Sequence, residues 1–237
     1  MTDRHPTANV TKMTATDVSP MRPTSAPRSN LQPRWLRWAG AAAVVGGLLA
    51  LVLTLPFALA FFRAYPGDDV APTWLARLEP SLLPLMTFAP PVVVYNWYGR
   101  VYDLVYLLFL PATVGLHRLH PSNGSRLDRW GFGLLLSGLV LTFVGVAGDY
   151  WANGLTFVLG LLGLLVLAVG TTLYGLVLWR SRVLTRGLAW LFLACLPGIF
   201  ISTWLLGHIP SGPTLPFALT WLALGAALWR VARHRPD

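Results

Sequence analysis

The residues best suited to chemistry lie in one apolar stretch, residues 92–111, with the sequence VVVYNWYGRVYDLVYLLFLP. Asn96, Arg100 and Asp103 recur there at helical spacing, so a helix would carry all three on one face. A carboxylate on a membrane helix costs about 2.5–3.5 kcal/mol at the bilayer centre, and less towards the edge. Asp103 should therefore face protein or water and have a partner, and Arg100 is the nearest candidate.

Tyrosines accompany these charges on the neighbouring face of the same predicted helix. They are separated from the charged stripe by Gly99, and they are Tyr95, Tyr98, Tyr102 and Tyr106. Two interpretations fit the pattern: an ion pair at a helix end covered by interfacial tyrosines, or a ligand, proton or ion site in an outward-opening pocket. The start of the helix matters, because a helix that began near Val101 would leave Arg100 as a headgroup anchor.

The composition is typical of a polytopic membrane protein. Hydrophobic residues make up 55% of the 237 residues and charged residues 11%, against roughly 45–50% and roughly 25% in soluble domains. The length fits about six spans of roughly 20 residues each. The net charge of +9 comes from arginines at the ends of apolar segments, where they contact lipid headgroups, so we expect no nucleic-acid partner. The single cysteine, Cys195, excludes an internal disulfide and a Cys-based metal site, and we expect neither metal nor cofactor.

The sequence therefore predicts an all-α membrane protein, a bundle of about six transmembrane helices behind a disordered N-terminal tail. Residues 1–36 form the tail, because they are polar, rich in proline and lack apolar periodicity. Residues 37–230 form the membrane domain, and residues 231–237 a second tail. Residues 63–90 form an outer loop with a possible interfacial segment. The predicted spans are 38–62, 92–116, 130–147, 155–179, 188–206 and 214–229.

Small residues recur every seven positions on the third and fourth spans. They are Gly131, Gly138 and Gly145 on one span and Thr156, Gly163 and Gly170 on the next. Such a repeat lets two backbones approach closely. It predicts a packing seam between two antiparallel helices, with a moving hinge as the alternative.

The distribution of basic residues predicts the orientation. Fifteen of the eighteen lie in alternate connecting segments that include both termini, and the other set holds only Arg63, Arg77 and Arg100. Because positively charged loops stay in the cytoplasm, both termini are expected there, in a bacterial cytoplasmic membrane. His117 and His120 then lie at the cytoplasmic end of span two, without the spacing of a zinc site, and are interpreted as interfacial side chains.

With this topology the outer ends of spans two, three and five carry polar residues that can converge on one outward cluster. Its members are Arg100, Asp103, Asp149, Tyr150 and His208. Tyr102-Asp103 and Gly148-Asp149 resemble a fragment of the pattern in intramembrane aspartyl proteases, Tyr-Asp and Gly-x-Gly-Asp on adjacent helices. That resemblance implies two carboxylates that share a proton and activate water. The second motif here lacks its first glycine, since Val146 occupies that position.

In overall pattern the chain resembles small polytopic integral membrane proteins of bacteria, with short Arg-flanked loops such as Trp179-Arg180-Ser181-Arg182. This likeness implies a location and not an activity. The first hypothesis is a protein without catalysis of its own that acts through protein partners, lipids or a second copy of itself. A small transporter or ion-coupled carrier with a pocket around Asp103 is the alternative, and an aspartyl-type protease is the third.

Overall fold

A computed structural model describes residues 33–67, 71–119, 125–152, 154, 156–181 and 184–234. This part of the chain forms eight helices and no strand: α1 (Pro33–Ala64), α2 (Thr73–Ala76), α3 (Glu79–Met86), α4 (Pro91–Leu119), α5 (Arg126–Trp151), α6 (Phe157–Ser181), α7 (Arg186–Leu206) and α8 (Ser211–Arg233). Six of them, α1 and α4 to α8, are long and apolar enough to cross a membrane. The chain is thus an all-α, multi-pass membrane protein, as the sequence predicts. The predicted tail lies outside the described residues except for its last four, which belong to α1.

The six long helices form a closed ring in chain order. Each packs against the helices before and after it, and α8 returns to α1. α4 and α8 also meet across the ring. Between them lies the fully buried Trp221, whose indole N–H donates to the carbonyl of Phe109 at 3.1 Å and whose ring stacks on the Phe109 ring at 4.9 Å. At this level the centre of the ring is a packed aromatic core.

The start of α4 decides how Arg100 is held. The helix begins at Pro91 and continues through Pro111 to Leu119. Proline suits the first helical turn, because it has no N–H group and that turn leaves its N–H groups without an intrahelical partner. Arg100 therefore lies about two and a half turns inside the helix, and the alternative start near Val101 is wrong.

The predicted glycine seam joins α5 to α6. A Cβ added at Gly138 would overlap the backbone of Leu167, and one added at Gly145 would overlap the backbone of Gly160. Thr156 donates its hydroxyl to the carbonyl of Gly145 at 2.8 Å, which ties the start of α6 to the end of α5. Close approach of the two backbones confirms the packing seam.

A second seam, between α1 and α8, is absent from the sequence predictions. A Cβ at Gly40 would lie 2.8 Å from the carbonyl oxygen of Gly225, and one at Gly47 would lie 2.8 Å from that of Ala218. The repeat of seven between Gly40 and Gly47 was a usable signal, although Gly225 is the only glycine of α8 at this contact. This contact closes the ring.

Two short helices lie against one end of the bundle, within the predicted outer loop. Leu75 of α2 and Met86 of α3 are buried against Leu59 and its neighbours on α1. Trp74 donates its indole N–H to the carbonyl of Leu205 at 2.9 Å, near the end of α7. The segment is therefore fastened to the spanning helices at both α1 and α7, which defines this end of the bundle.

Candidate functional site

A cleft opens at the end of the bundle where α1 ends, α4 begins and α5 ends. Its volume is about 460 Å³, within the roughly 300–1,000 Å³ of small-molecule sites. We call it the polar cleft, and its lining residues are Phe61, Tyr65, Tyr95, Asn96, Arg100, Asp149, Tyr150 and Gly154. Aromatic rings and charged or polar groups thus share one surface.

A glycine on α4 sets the approach of α5. The ring of Tyr150 lies against Gly99 so closely that a Cβ there would overlap it. The next residue, Arg100, donates its Nε–H to the carbonyl of Tyr150 at 3.1 Å, and its guanidinium carbon lies 4.8 Å from the centre of the Trp151 ring. The last carbonyls of a helix lack intrahelical partners and carry partial negative charge. Arg100 therefore caps the end of α5 and is held in a defined place.

Two opposite charges line the polar cleft without pairing with each other. Arg100 is exposed and Asp149 is half-buried, and both border the cleft. In the part of the chain that the structure describes, neither forms an ion pair within 4.0 Å; the pairs found there are Arg63–Glu79 and His117–Asp128. Both charges are available to a bound molecule.

Two tyrosines bridge the helices that form the wall of the cleft. The hydroxyls of Tyr95 and Tyr150 are 2.8 Å apart, and both side chains are buried. Behind them, the His208 ring lies 5.8 Å from that of Tyr95 and 4.7 Å from that of Phe61, and its Nδ1 lies 2.8 Å from the Ser211 hydroxyl oxygen. Burial lowers the pKa of His208 to about 3, so the ring is neutral at physiological pH. His208 supports the cleft from behind and does not line it.

Asp103 lies apart from the cleft, about one turn deeper on α4. It is only 4% exposed, and its Oδ1 has no hydrogen-bond partner among the described residues. The expected ion pair with Arg100 is not formed, because Arg100 turns to the end of α5 instead. Of the predicted outward cluster, the structure brings Arg100, Asp149 and Tyr150 together, places His208 behind them and leaves Asp103 outside.

Comparison of the chain with protein-family models, with curated proteins and with solved structures gives no match.

The sequence predictions missed part of the cleft wall. Phe61 and Tyr65 are four residues apart, a spacing that places two side chains on one helix face. Their ring centres are 5.5 Å apart, and each lies 5.6 Å from that of Tyr95. Ending the first span at residue 62 separated the pair, whereas α1 continues to Ala64 and carries Tyr65 to the cleft.

A buried carboxylate at the opposite end of the bundle was also missed. Asp128 is 1% exposed, and neither of its carboxylate oxygens has a hydrogen-bond partner in the described chain. Its backbone N–H is bonded by the hydroxyl of Ser125, the N-cap of α5, at 3.1 Å. A negative charge in the first turn of a helix is stabilised by the helix dipole, which favours Asp128 at this position.

His117 faces this carboxylate from α4. Its Nδ1 lies 3.9 Å from the Asp128 Oδ1 and 3.3 Å from the Tyr174 hydroxyl, and its ring stacks on Phe132 with centres 3.7 Å apart. His117 thus packs against α5 and α6 near the end of α4, and its side chain stays 27% exposed. The interfacial position remains a prediction. His120 lies outside the described residues. Across the described ranges, no group of three His, Cys, Asp or Glu side chains is placed to hold a metal ion.

Proposed function

We propose that the chain is a membrane protein without catalytic activity that binds a small polar ligand in the polar cleft. The observation that carries this proposal is that Arg100 and Asp149 line one cleft and do not pair with each other. Charged residues in membrane proteins generally have partners. The fold gives Arg100 a carbonyl and a Trp ring but no opposite charge, and it gives Asp149 no ion pair among the described residues. A ligand that enters the cleft can supply an opposite charge to each.

The absence of Asp103 from the cleft favours binding over hydrolysis. A protease of the aspartyl type needs two carboxylates close enough to share a proton. Only Asp149 lines the cleft, and no hydrogen bond joins it to Asp103 in the described residues. The proposal therefore assigns the two aspartates separate roles, Asp149 in ligand binding and Asp103 in the interior of the bundle.

The proposed setting is a bacterial cytoplasmic membrane with both termini in the cytoplasm. Its support is the arginine distribution, since basic residues cluster at the ends of the helices remote from the cleft, for example at Arg37, Arg118 and Arg230. In this orientation the polar cleft opens outward and receives solutes from outside the cell.

Transport of the ligand is the second candidate, and buried hydroxyl groups in the ring favour it. The Tyr102 hydroxyl lies 3.3 Å from that of Thr54, and the Tyr106 hydroxyl contacts that of Thr214. Hydroxyl groups of this kind can bind a polar solute in place of water as it moves inward. A carrier would have to open the packing beneath the cleft, so uptake into proteoliposomes separates transport from binding alone.

Lipids are the proposed partners at the arginine-rich end. Two grooves, of about 670 Å³ and about 420 Å³, lie on either side of α8 and share Ala226 and Arg230. An apolar groove next to an arginine suits the acyl chain and the phosphate of an anionic phospholipid. Equal stabilisation of the detergent-solubilised protein by added anionic and zwitterionic phospholipid would contradict this assignment.

The test of the proposed function is thermal unfolding of the purified full-length protein in detergent with small charged solutes. The panel contains acetate, phosphate, tetramethylammonium and glycine, because these cover both charges alone and together. A ligand that binds only the folded state raises Tm by mass action. We expect at least one solute to raise Tm, and Arg100→Gln or Asp149→Asn to weaken the shift. Arg129→Gln, at the opposite end, is the control that keeps it.

The proposal fails if the wild-type protein responds to no solute of any charge type. It also fails if a solute stabilises the wild type and both cleft variants equally, because binding would then occur elsewhere.

A further inference from the structure

We infer that the ligand of the polar cleft is a small zwitterion, a molecule that carries a carboxylate and an ammonium group separated by a short chain. The inference rests on the proposed ligand-binding function and names the chemical class of the ligand. Two opposite, unpaired charges on one cleft, together with an aromatic wall, are the observations that point to this class.

Arg100 and Asn96 form the part of the cleft that recognises the carboxylate. They are four residues apart on α4 and both line the cleft. The Nε of Arg100 is taken by the Tyr150 carbonyl, and its guanidinium lies over the Trp151 ring, so the group is held in place before a ligand arrives. A planar guanidinium has further N–H donors at its two terminal nitrogens, and these match the geometry of a carboxylate.

Asp149 and the aromatic wall form the part that recognises the ammonium group. The wall consists of Phe61, Tyr65 and Tyr95, whose ring centres are 5.5–5.6 Å apart. That spacing packs the rings against one another and leaves no room for a cation between them. An ammonium group therefore lies on the cleft side of the wall, next to the rings that line the cleft, where Asp149 neutralises its charge.

The presence of both Arg100 and Asp149 in one cleft selects against ligands that carry a single charge. A simple anion would bind Arg100 but lie near the like charge of Asp149, and a simple cation would bind Asp149 but lie near Arg100. Repulsion of this kind is an established source of specificity. The guanidinium nitrogens of Arg100 and the carboxylate oxygens of Asp149 are more than 4.0 Å apart, since they form no ion pair. A molecule that contacts both groups must span that gap.

A series of ω-amino acids of increasing length measures the gap and tests the inference. Glycine, β-alanine, 4-aminobutanoate and 6-aminohexanoate carry the same two groups at increasing separation. Isothermal titration calorimetry on the full-length wild-type protein compares their Kd values. We expect one length to bind best, and the methyl ester and the N-acetyl form of that compound each to bind at least about tenfold more weakly, since each lacks one charge.

The two charge-removing variants should give opposite patterns. In Arg100→Gln the methyl ester should bind about as well as the parent zwitterion, because the carboxylate no longer has its partner. In Asp149→Asn the N-acetyl form should bind about as well as the parent zwitterion, because the ammonium group no longer has its partner. A crossed pattern of this kind assigns each ligand charge to one side chain, and a general loss of structure would not produce it.

If the ester or the N-acetyl form binds the wild type as tightly as the zwitterion, the cleft recognises one charge only; the inference fails while the ligand-binding function stands. If no member of this series and none of the singly charged solutes binds, both fail. The comparison of blocked and unblocked ligands uses the wild type alone, so the inference can be overturned even if a variant does not fold.

Discussion

The hydroxyls of Tyr95 and Tyr150 lie 2.8 Å apart and join α4 to α5 in the wall of the polar cleft. Both side chains are at least nine-tenths buried, so little of either one is in contact with water. The bond holds Tyr150 next to Gly99 and thereby holds the carbonyl that receives Arg100. The shape of the cleft depends on this contact.

The first prediction concerns this hydroxyl pair. Tyr95→Phe or Tyr150→Phe alone should lower the free energy of unfolding by about 1–3 kcal/mol, because each leaves one buried hydroxyl unpaired. The double variant should lose less than the sum of the two single variants, since it removes both partners. A double-mutant cycle of denaturation in mixed micelles measures the coupling, and strict additivity would show that the hydroxyls do not interact.

The second prediction concerns the close approach at Gly99. Gly99→Ala should destabilise the protein by about 1–3 kcal/mol, because the added methyl group overlaps the Tyr150 ring and forces α4 and α5 apart. Gly133→Ala is the matched control: it is also within a spanning helix, but its Cβ would have nothing within 4 Å. Thermal unfolding of both variants checks this, and equal Tm values would contradict the contact.

The third prediction is a pH dependence carried by His208. Its pKa is lowered to about 3 from an ordinary value of 6.5, because burial removes the ring from water and so disfavours the charged form. The unfolded chain therefore binds a proton at a pH where the folded chain does not. This contribution to stability is fully present above about pH 6.5 and is lost as the pH falls towards 3, at up to about 1.4 kcal/mol per pH unit.

His208→Gln should remove that part of the pH dependence, since glutamine does not titrate. The measurement is denaturant unfolding between pH 7.5 and 4.5 for the wild type and the variant, with the difference in stability between them plotted against pH. The exposed His234→Gln is the control. A difference that stays constant with pH for His208→Gln would show that the ring takes up protons in the folded protein.

The fourth prediction concerns the side of the membrane on which the cleft opens. In a Cys195→Ser background, a cysteine at Asn96 should react in intact cells with a thiol reagent that does not cross membranes, because Asn96 lines the polar cleft. A cysteine at the exposed Arg129, near the other end of α5, should react only after the membrane is permeabilised. The reverse pattern would invert the proposed orientation.

The sequence was sufficient to predict the architecture and one of the two glycine seams. Runs of apolar residues placed the spanning helices, and glycines seven residues apart revealed the seam between α5 and α6, because both signals are local and periodic. The seam between α1 and α8 was not predicted, because α8 has no second glycine seven residues from Gly225.

The site was harder to predict, because it depends on the axial offset of neighbouring helices. Arg100 and Asp103 were paired by their spacing on one helix, yet the side chain of Arg100 extends to the end of α5 and donates to the carbonyl of Tyr150. Where α5 ends relative to α4 is a tertiary property, fixed by the fit of Tyr150 against Gly99. Residues of separate helices, such as Phe61 and Asp149, meet in the cleft for the same reason.

The ring of helices closes only when α8 packs against α1. Of the six spanning helices, α1 is synthesised first and α8 last, so α1 is made before the helix that closes the ring. Until α8 packs against it, the surface of α1 around Gly40 and Gly47 lacks the backbone atoms that lie against it in the folded protein. Completion of the ring therefore depends on the helix that is farthest from α1 along the chain.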